Sequence, residues 1–140
     1  MVEAIDYLIV GNSAAGLQAL QTLRKQSTQA SVAIIDPQEH RAYSRVLTPY
    51  FVGGKAERDH LFIVDHEFYY RTRVTTLFGR TVIALHTDDK QLELDDGRRV
   101  TFGKLLLAIG AVARQLEVAS DRSSVLRHMT HAEQLVELML

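Results

Sequence analysis

The chain has 140 residues, 46 % hydrophobic and 24 % charged, the make-up of one compact soluble domain with at most a short appendage rather than a disordered or fibrous chain. Sixteen Lys plus Arg against seventeen Asp plus Glu leave a net charge of −1, which gives no electrostatic footprint for nucleic acid or an anionic membrane. The absence of cysteine excludes a disulfide framework, a thiolate metal centre and a cysteine nucleophile, so redox chemistry here requires a bound cofactor.

Met1-Val2-Glu3 carries no basic leader, and the apolar run Tyr7–Val10 is too short for a signal-peptide core or a membrane span, so the expected location is cytoplasmic. That run ends at Gly11 and predicts a strand buried on both faces of a parallel sheet. Gly16, Ala19, Leu20 and Leu23 then follow at i, i+3, i+4 and i+7 and predict a helix of about three turns, with Ser13 placed to cap its first free amides. Val32–Ile35 repeats the buried-strand pattern and stops at Asp36-Pro37, where a proline cannot continue a central strand. The first 36 residues therefore read as one βαβ unit.

From Gln38 to about Arg73 the pattern weakens into a long loop, closed by a short helix near Asp65–Arg71. Val74–Phe78 predicts another strand, and Thr81–His86, Gln91–Leu94 and Arg98–Thr101 predict an antiparallel meander. Its two tight turns fall at Asp88-Asp89-Lys90 and Asp95-Asp96-Gly97. Leu105–Gly110 is a third buried run ending in glycine. Ala132, Leu135, Val136, Met139 and Leu140 mark one face of a final helix that runs into the last residue without a capping signal.

Gly11-Asn12-Ser13-Ala14-Ala15-Gly16 has the spacing of a dinucleotide fingerprint in which Ser13 replaces the middle glycine. The first glycine permits a tight turn, the middle one admits a pyrophosphate and the last lets helix and strand pack closely. The turn follows a strand, opens a helix and precedes Asp36, twenty residues after Gly16, where a carboxylate can accept hydrogen bonds from adenosine ribose hydroxyls and repel a 2′-phosphate. A plain βαβ turn with an aspartate ending a strand would share these features. His128 and His131, three residues apart, lack an evident third ligand and are expected to be solvated or capping residues. The paired aspartates are explained by turn chemistry, and Phe68–Tyr70 by packing against the sheet rather than base stacking.

Across nearly its whole length the chain resembles the flavin-dependent pyridine nucleotide-disulfide oxidoreductases of the glutathione-reductase-like group. The likeness rests on Gly11–Gly16, on Asp36, on the meander before the final strand, and on Leu105–Gly110, whose Ala108-Ile109-Gly110 stands where the second FAD motif has Ala-Thr-Gly. Tyr43–Tyr50 resembles the segment that lies along the FAD pyrophosphate and flavin in the branch of nitrite-reductase flavin subunits and rubredoxin reductases. The resemblance implies an α/β, Rossmann-like three-layer FAD-binding domain: a mostly parallel sheet with a helix on one face and a β-meander on the other. It implies that Arg45 reaches the pyrophosphate, that Thr48 and Pro49 lie near the flavin ring, and that Pro37 and Val82 join the cofactor-binding set.

With Val46 where thiol-using members place a cysteine, the implied chemistry is hydride in from NADH and electrons out through FAD to a separate acceptor. Residues 1–113 would form the first segment of the FAD-binding domain, and 114–140 a connector towards an NAD-binding domain that residues 111–140 do not match. The chain thus reads as a fragment, inactive alone, whose partnerless C-terminal stripe favours a homodimer. A nucleotide-binding regulatory module without redox activity would share the fingerprint and Asp36, but has no need of the Arg45–Tyr50 segment. A purely structural domain needs no phosphate-sized opening at Gly11.

Overall fold

The computed structural model describes residues 4–114 and 123–139. They fall into two compact units, one formed by Met1–Ala42 with Val64–Ile109 and the other by Tyr43–Ile63 with Gly110–Leu140.

In the first unit β1 (Ile5–Val10), β2 (Val32–Asp36) and β3 (Val74–Phe78) are parallel, with Leu8 beside Ala33 and Ile34 beside Thr76. Helix α1 (Ala14–Gln26) crosses between β1 and β2. It buries Gly16, Leu17 and Leu20, with Ala19 and Leu23 partly covered, against Ile9, Val32 and Ile34. The helical spacing of the sequence therefore selects the correct face. Every residue of β2 is buried, as expected of a strand inside a parallel sheet.

The meander is formed by β4 (Val82–His86), β5 (Gln91–Leu94) and β6 (Arg99–Leu107). Its turns place Lys90 and Gly97 at positive φ, +50° and +81°, so the first turn relies on a lysine rather than an aspartate for that conformation. The sequence divides Arg98–Thr101 from Leu105–Gly110, whereas the structure joins them in one nine-residue strand. Gln91–Glu93 pairs antiparallel with Arg99–Thr101, and the following residues pair parallel with β1, from Phe102 beside Ile5 to Leu107 beside Val10. The sheet therefore runs β3-β2-β1-β6-β5-β4. Two readings of one strand arise because its halves face different neighbours: the alternating half belongs to the meander and the apolar half to the parallel core. That apolar half is less covered than a doubly buried run requires, since Leu106, Leu107 and Ile109 are exposed.

On the face opposite α1, Leu92 and Leu94 of the meander pack on Leu8, Val10, Ala33 and Ile35, giving the expected three layers. The fold is thus α/β with helix, mostly parallel sheet and meander. Among the described residues no helix is long and apolar enough to cross a membrane.

The second unit corrects the long-loop reading of residues 38–73. It contains short 3-10 turns at Arg45–Leu47 and Arg58–Leu61 and the one-turn helix α2 (Thr48–Val52), which sequence periodicity cannot register at so short a length. The expected short helix near 65–71 is α3 (Phe68–Arg71), in the first unit. Helix α4 (Met129–Met139) packs on α2, with Met129 buried beside Tyr43 and Leu61 and Ala132 buried as well. Part of the stripe expected to lack a partner is therefore covered within the chain, while Leu138 and Met139 stay exposed. Leu140 lies outside the described residues.

Candidate phosphate-binding turn and ribose acceptor

The carboxyl ends of β1, β2 and β6 lie side by side, and β1 has parallel neighbours reached by connections leaving in opposite directions. This switch point is where ligands bind in open α/β sheets. Gly11 leaves β1 at φ +112°, and its N–H donates to the Ile35 carbonyl at 2.7 Å. A Cβ on Gly11 would stand 2.2 Å from the Ala108 carbonyl oxygen, and one on Gly16 would stand 1.8 Å from the Gly11 carbonyl oxygen. The outer glycines are therefore required by backbone proximity, one between β1 and β6 and the other between turn and helix.

Ser13 occupies the N-cap position of α1, but its hydroxyl makes no capping bond, which corrects the role assigned to it from sequence. Its carbonyl accepts from Leu17 N–H at 2.9 Å. The first-turn amides of Ala14, Ala15 and Gly16 consequently have no intrahelical acceptor, and Ala14 and Ala15 are exposed. Such amides, at the positive end of the helix dipole, suit an anion.

Asp36 ends β2 with its carboxylate buried. Its Oδ2 accepts the Asn12 N–H at 2.7 Å and its Oδ1 the Gln38 N–H at 2.9 Å. Each carboxylate oxygen can accept more than one donor, so the pair retains acceptor capacity for ribose hydroxyls. Pro37, exposed, turns the chain away. Arg80 N–H donates to the Asp36 carbonyl at 3.2 Å, so the β3–β4 link returns to this strand end two residues before half-buried Val82, which packs on the meander-side core. Ala108 N–H donates to the Val10 carbonyl at 2.7 Å and brings Ala108 and Ile109 to the same edge.

The first unit therefore assembles Gly11–Gly16, Asp36, Pro37, Ala108 and Ile109. Arg45, Thr48 and Gly110 belong to the second unit. Arg45 is half-buried and has no ion-pair partner among the described residues. Its carbonyl accepts the buried Thr48 hydroxyl at 2.8 Å, which spends that hydroxyl on the local turn. Gly110 adopts φ +68°.

Sequence reasoning missed Tyr69. Its ring packs edge-on to Phe68 and Phe78, as the packing reading expects of Phe68 and Tyr69, whereas Tyr70 is exposed and departs from that reading. Its hydroxyl, however, donates to Asn12 Oδ1 at 2.8 Å and accepts the Ala42 N–H at 3.0 Å. Burial holds the Tyr69 phenol above the ordinary tyrosine range. Its neutral form therefore stabilises the fold below about pH 10, and that contribution fades as pH rises towards the higher folded-state value. Urea unfolding of the parent and Tyr69→Phe between pH 8 and 11 is expected to show an alkaline loss of stability that the variant lacks; parallel curves would contradict it. His128 and His131 form a tilted ring pair, with Arg127 N–H donating to His131 Nδ1, and no group of three potential metal ligands occurs among the described residues.

The sequence profile of the family described as pyridine nucleotide-disulphide oxidoreductase matches residues 5–139. The chain is 36 % identical over 110 residues to the epsilon subunit of NADH-dependent phenylglyoxylate dehydrogenase from Aromatoleum evansii, covering 79 % of this chain and 26 % of that protein. It is 29 % identical over 116 residues to putidaredoxin reductase of Pseudomonas putida, covering 82 % and 28 %. Among solved structures, NADH:rubredoxin oxidoreductase from Clostridium acetobutylicum superposes with a TM-score of 0.88 at 18 % identity, over 96 % of this chain and 35 % of that one, a likeness of fold. The chain spans between a quarter and a third of the length of these curated relatives. The cofactor of this family is FAD, and the crowded outer glycines, open helix amides and buried carboxylate fit its ADP half. By a profile match over residues 5–139, on a fold that places the fingerprint at the sheet's switch point, the chain belongs to the pyridine nucleotide-disulphide oxidoreductase family.

Proposed function

We propose that this chain binds the ADP half of FAD within an NADH-dependent reductase that passes electrons to a separate acceptor protein or small molecule. The observation that carries the reading is the buried Asp36 carboxylate at the end of β2, beside the uncapped first turn of α1. Asp36 accepts the ribose hydroxyls, while the amides of Ala14–Gly16 receive the pyrophosphate. Gly11 keeps the backbone low enough for that approach. Arg45 supplies a fixed-charge fork for phosphate oxygens, and Ala108–Gly110 closes the cofactor edge. The chemistry supplied by bound FAD is acceptance of a hydride from NADH and passage of its electrons onward. The names of the relatives support an electron-transfer role: a dehydrogenase subunit, a putidaredoxin reductase and a ferredoxin reductase component. With no cysteine in the sequence, the chain offers no thiol to relay those electrons.

The test is titration of the purified chain with FAD and with ADP. Binding of both, with a yellow flavin-bearing preparation, supports the reading. ADP binding with exclusion of FAD favours the regulatory-module alternative, and binding of neither refutes the site. Within this reading Arg45→Ala is expected to weaken FAD binding about tenfold, the scale of one charged hydrogen bond. Arg45→Lys should fall between that variant and the parent, because it keeps the charge and loses the fork. Equal affinities for Arg45→Ala and parent would make Arg45 an ordinary loop charge.

The reading includes a homodimer formed through the exposed end of α4, where Leu138 and Met139 remain uncovered. Sedimentation of the chain is expected to show a species heavier than a monomer that deletion of residues 136–140 weakens. A strictly monomeric chain at high micromolar concentration would remove the dimer from the reading.

A further inference from the structure

Asn12 is turned inward at 6 % exposure, and its polar groups each hold a different segment. Its N–H reaches Asp36 Oδ2 at 2.7 Å, its Nδ2 donates to the His40 carbonyl at 3.3 Å, and its Oδ1 accepts the Tyr69 hydroxyl at 2.8 Å. The Tyr69 oxygen is fixed in turn by the Ala42 N–H at 3.0 Å, with Tyr69 8 % exposed and Ala42 fully buried. The residue between Gly11 and Ser13 is therefore bolted from behind to β2, to the 40–42 segment and to α3. None of these bonds presents the Asn12 side chain to a ligand. They fix the tilt of the peptides leading into Ala14–Gly16 and share Oδ2 of the ribose acceptor.

Resting on the nucleotide-binding reading above, we propose that Tyr69 is a positioning residue for the nucleotide's phosphates: through the buried Asn12 side chain its hydroxyl sets the direction in which the turn's amides point. Removing that hydroxyl leaves the Asn12 Oδ1 and the Ala42 N–H without partners, and two buried groups so exposed relax by moving the turn. Asp36 keeps its second anchor, the Gln38 N–H. The effect therefore falls on the phosphates more than on the adenosine.

The experiment measures ADP and adenosine affinities of the full chain by NMR titration, with folding of each variant confirmed by circular dichroism at the same temperature. Tyr69→Phe is expected to weaken ADP about fivefold, the scale of one hydrogen bond, while adenosine changes less than twofold. The ADP-to-adenosine affinity ratio therefore narrows, which loss of stability alone would not produce in a folded sample. Asn12→Ala breaks the same bond, and its bond to the His40 carbonyl besides, so it should narrow the ratio at least as far, with the double variant no worse than Asn12→Ala alone. Tyr70→Phe, at an 87 % exposed neighbour, should leave the ratio at the parent value. If Tyr69→Phe does not fold, Asn12→Ala decides alone. A parent chain that binds neither ligand overturns the nucleotide-binding reading and this inference with it. A parent that binds both, with an unchanged ratio in the variants, overturns only the role of Tyr69.

Discussion

Gly11→Ala is expected to lower unfolding stability by about 3 kcal/mol or more and to abolish ADP binding. A non-glycine residue in the left-handed region costs roughly 1–2 kcal/mol, and overpacking a closed site a further 1–3 kcal/mol. The added Cβ would stand 2.2 Å from the Ala108 carbonyl oxygen and 2.7 Å from its carbon. Neither side can retreat without loss, because Gly11 N–H is bonded to the Ile35 carbonyl and Ala108 N–H to the Val10 carbonyl, both at 2.7 Å. Against a total of about 5–15 kcal/mol for an ordinary domain, the change is large. Were the first glycine needed only for its turn, Gly11→Val would lose nucleotide while the domain still folded. The contact with a backbone carbonyl removes that separation, since the glycine proposed to admit the phosphate also lets β1 and β6 come together. Gly54, at φ +66° with open space around it, provides the comparison. Gly54→Ala should cost only about 1 kcal/mol, the backbone term alone. Urea midpoints of the two variants measure the difference, and equal midpoints would mean that the approach of Gly11 to Ala108 carries no energy.

Asp36→Asn is expected to weaken ADP binding between about 10- and 100-fold, the loss of one or two hydrogen bonds to a charged acceptor. It should also lower stability by about 1–3 kcal/mol, the cost of leaving a buried donor unpaired. The two carboxylate oxygens accept the Asn12 and Gln38 N–H groups, and an amide offers one acceptor oxygen for both. Selectivity should change with affinity. The parent is expected to bind ADP more tightly than 2′-phospho-ADP, because a buried carboxylate meets the added phosphate as a like charge, and Asp36→Asn should narrow that preference. Calorimetric titration with both nucleotides checks this; a parent that binds the phosphorylated form as tightly as ADP removes Asp36 from the ribose role.

Local chemistry in the sequence determined the βαβ unit. The four-residue apolar run Tyr7–Val10, the helical spacing of Gly16, Ala19, Leu20 and Leu23, and a proline after Asp36 each admit few alternatives over so short a span. The same local signals located the glycine turn after β1, the aspartate that ends β2 and the hairpin turns of the meander. Tertiary structure alone decided that Arg99–Leu107 is one strand, because its two halves gain different partners, β5 and β1, only when the sheet is assembled. It likewise decided that Ser13 leaves the α1 amides uncapped and that part of the α4 stripe is buried on α2. The bond between Tyr69 and the Gly11–Gly16 turn depended on it most. The tyrosine stands 57 residues from Asn12 in a run of three aromatics, and its neighbour Tyr70 is exposed. Nothing in residue type or spacing distinguishes the two, since a hydrogen bond between distant segments is set by how their backbones meet and not by the composition of either.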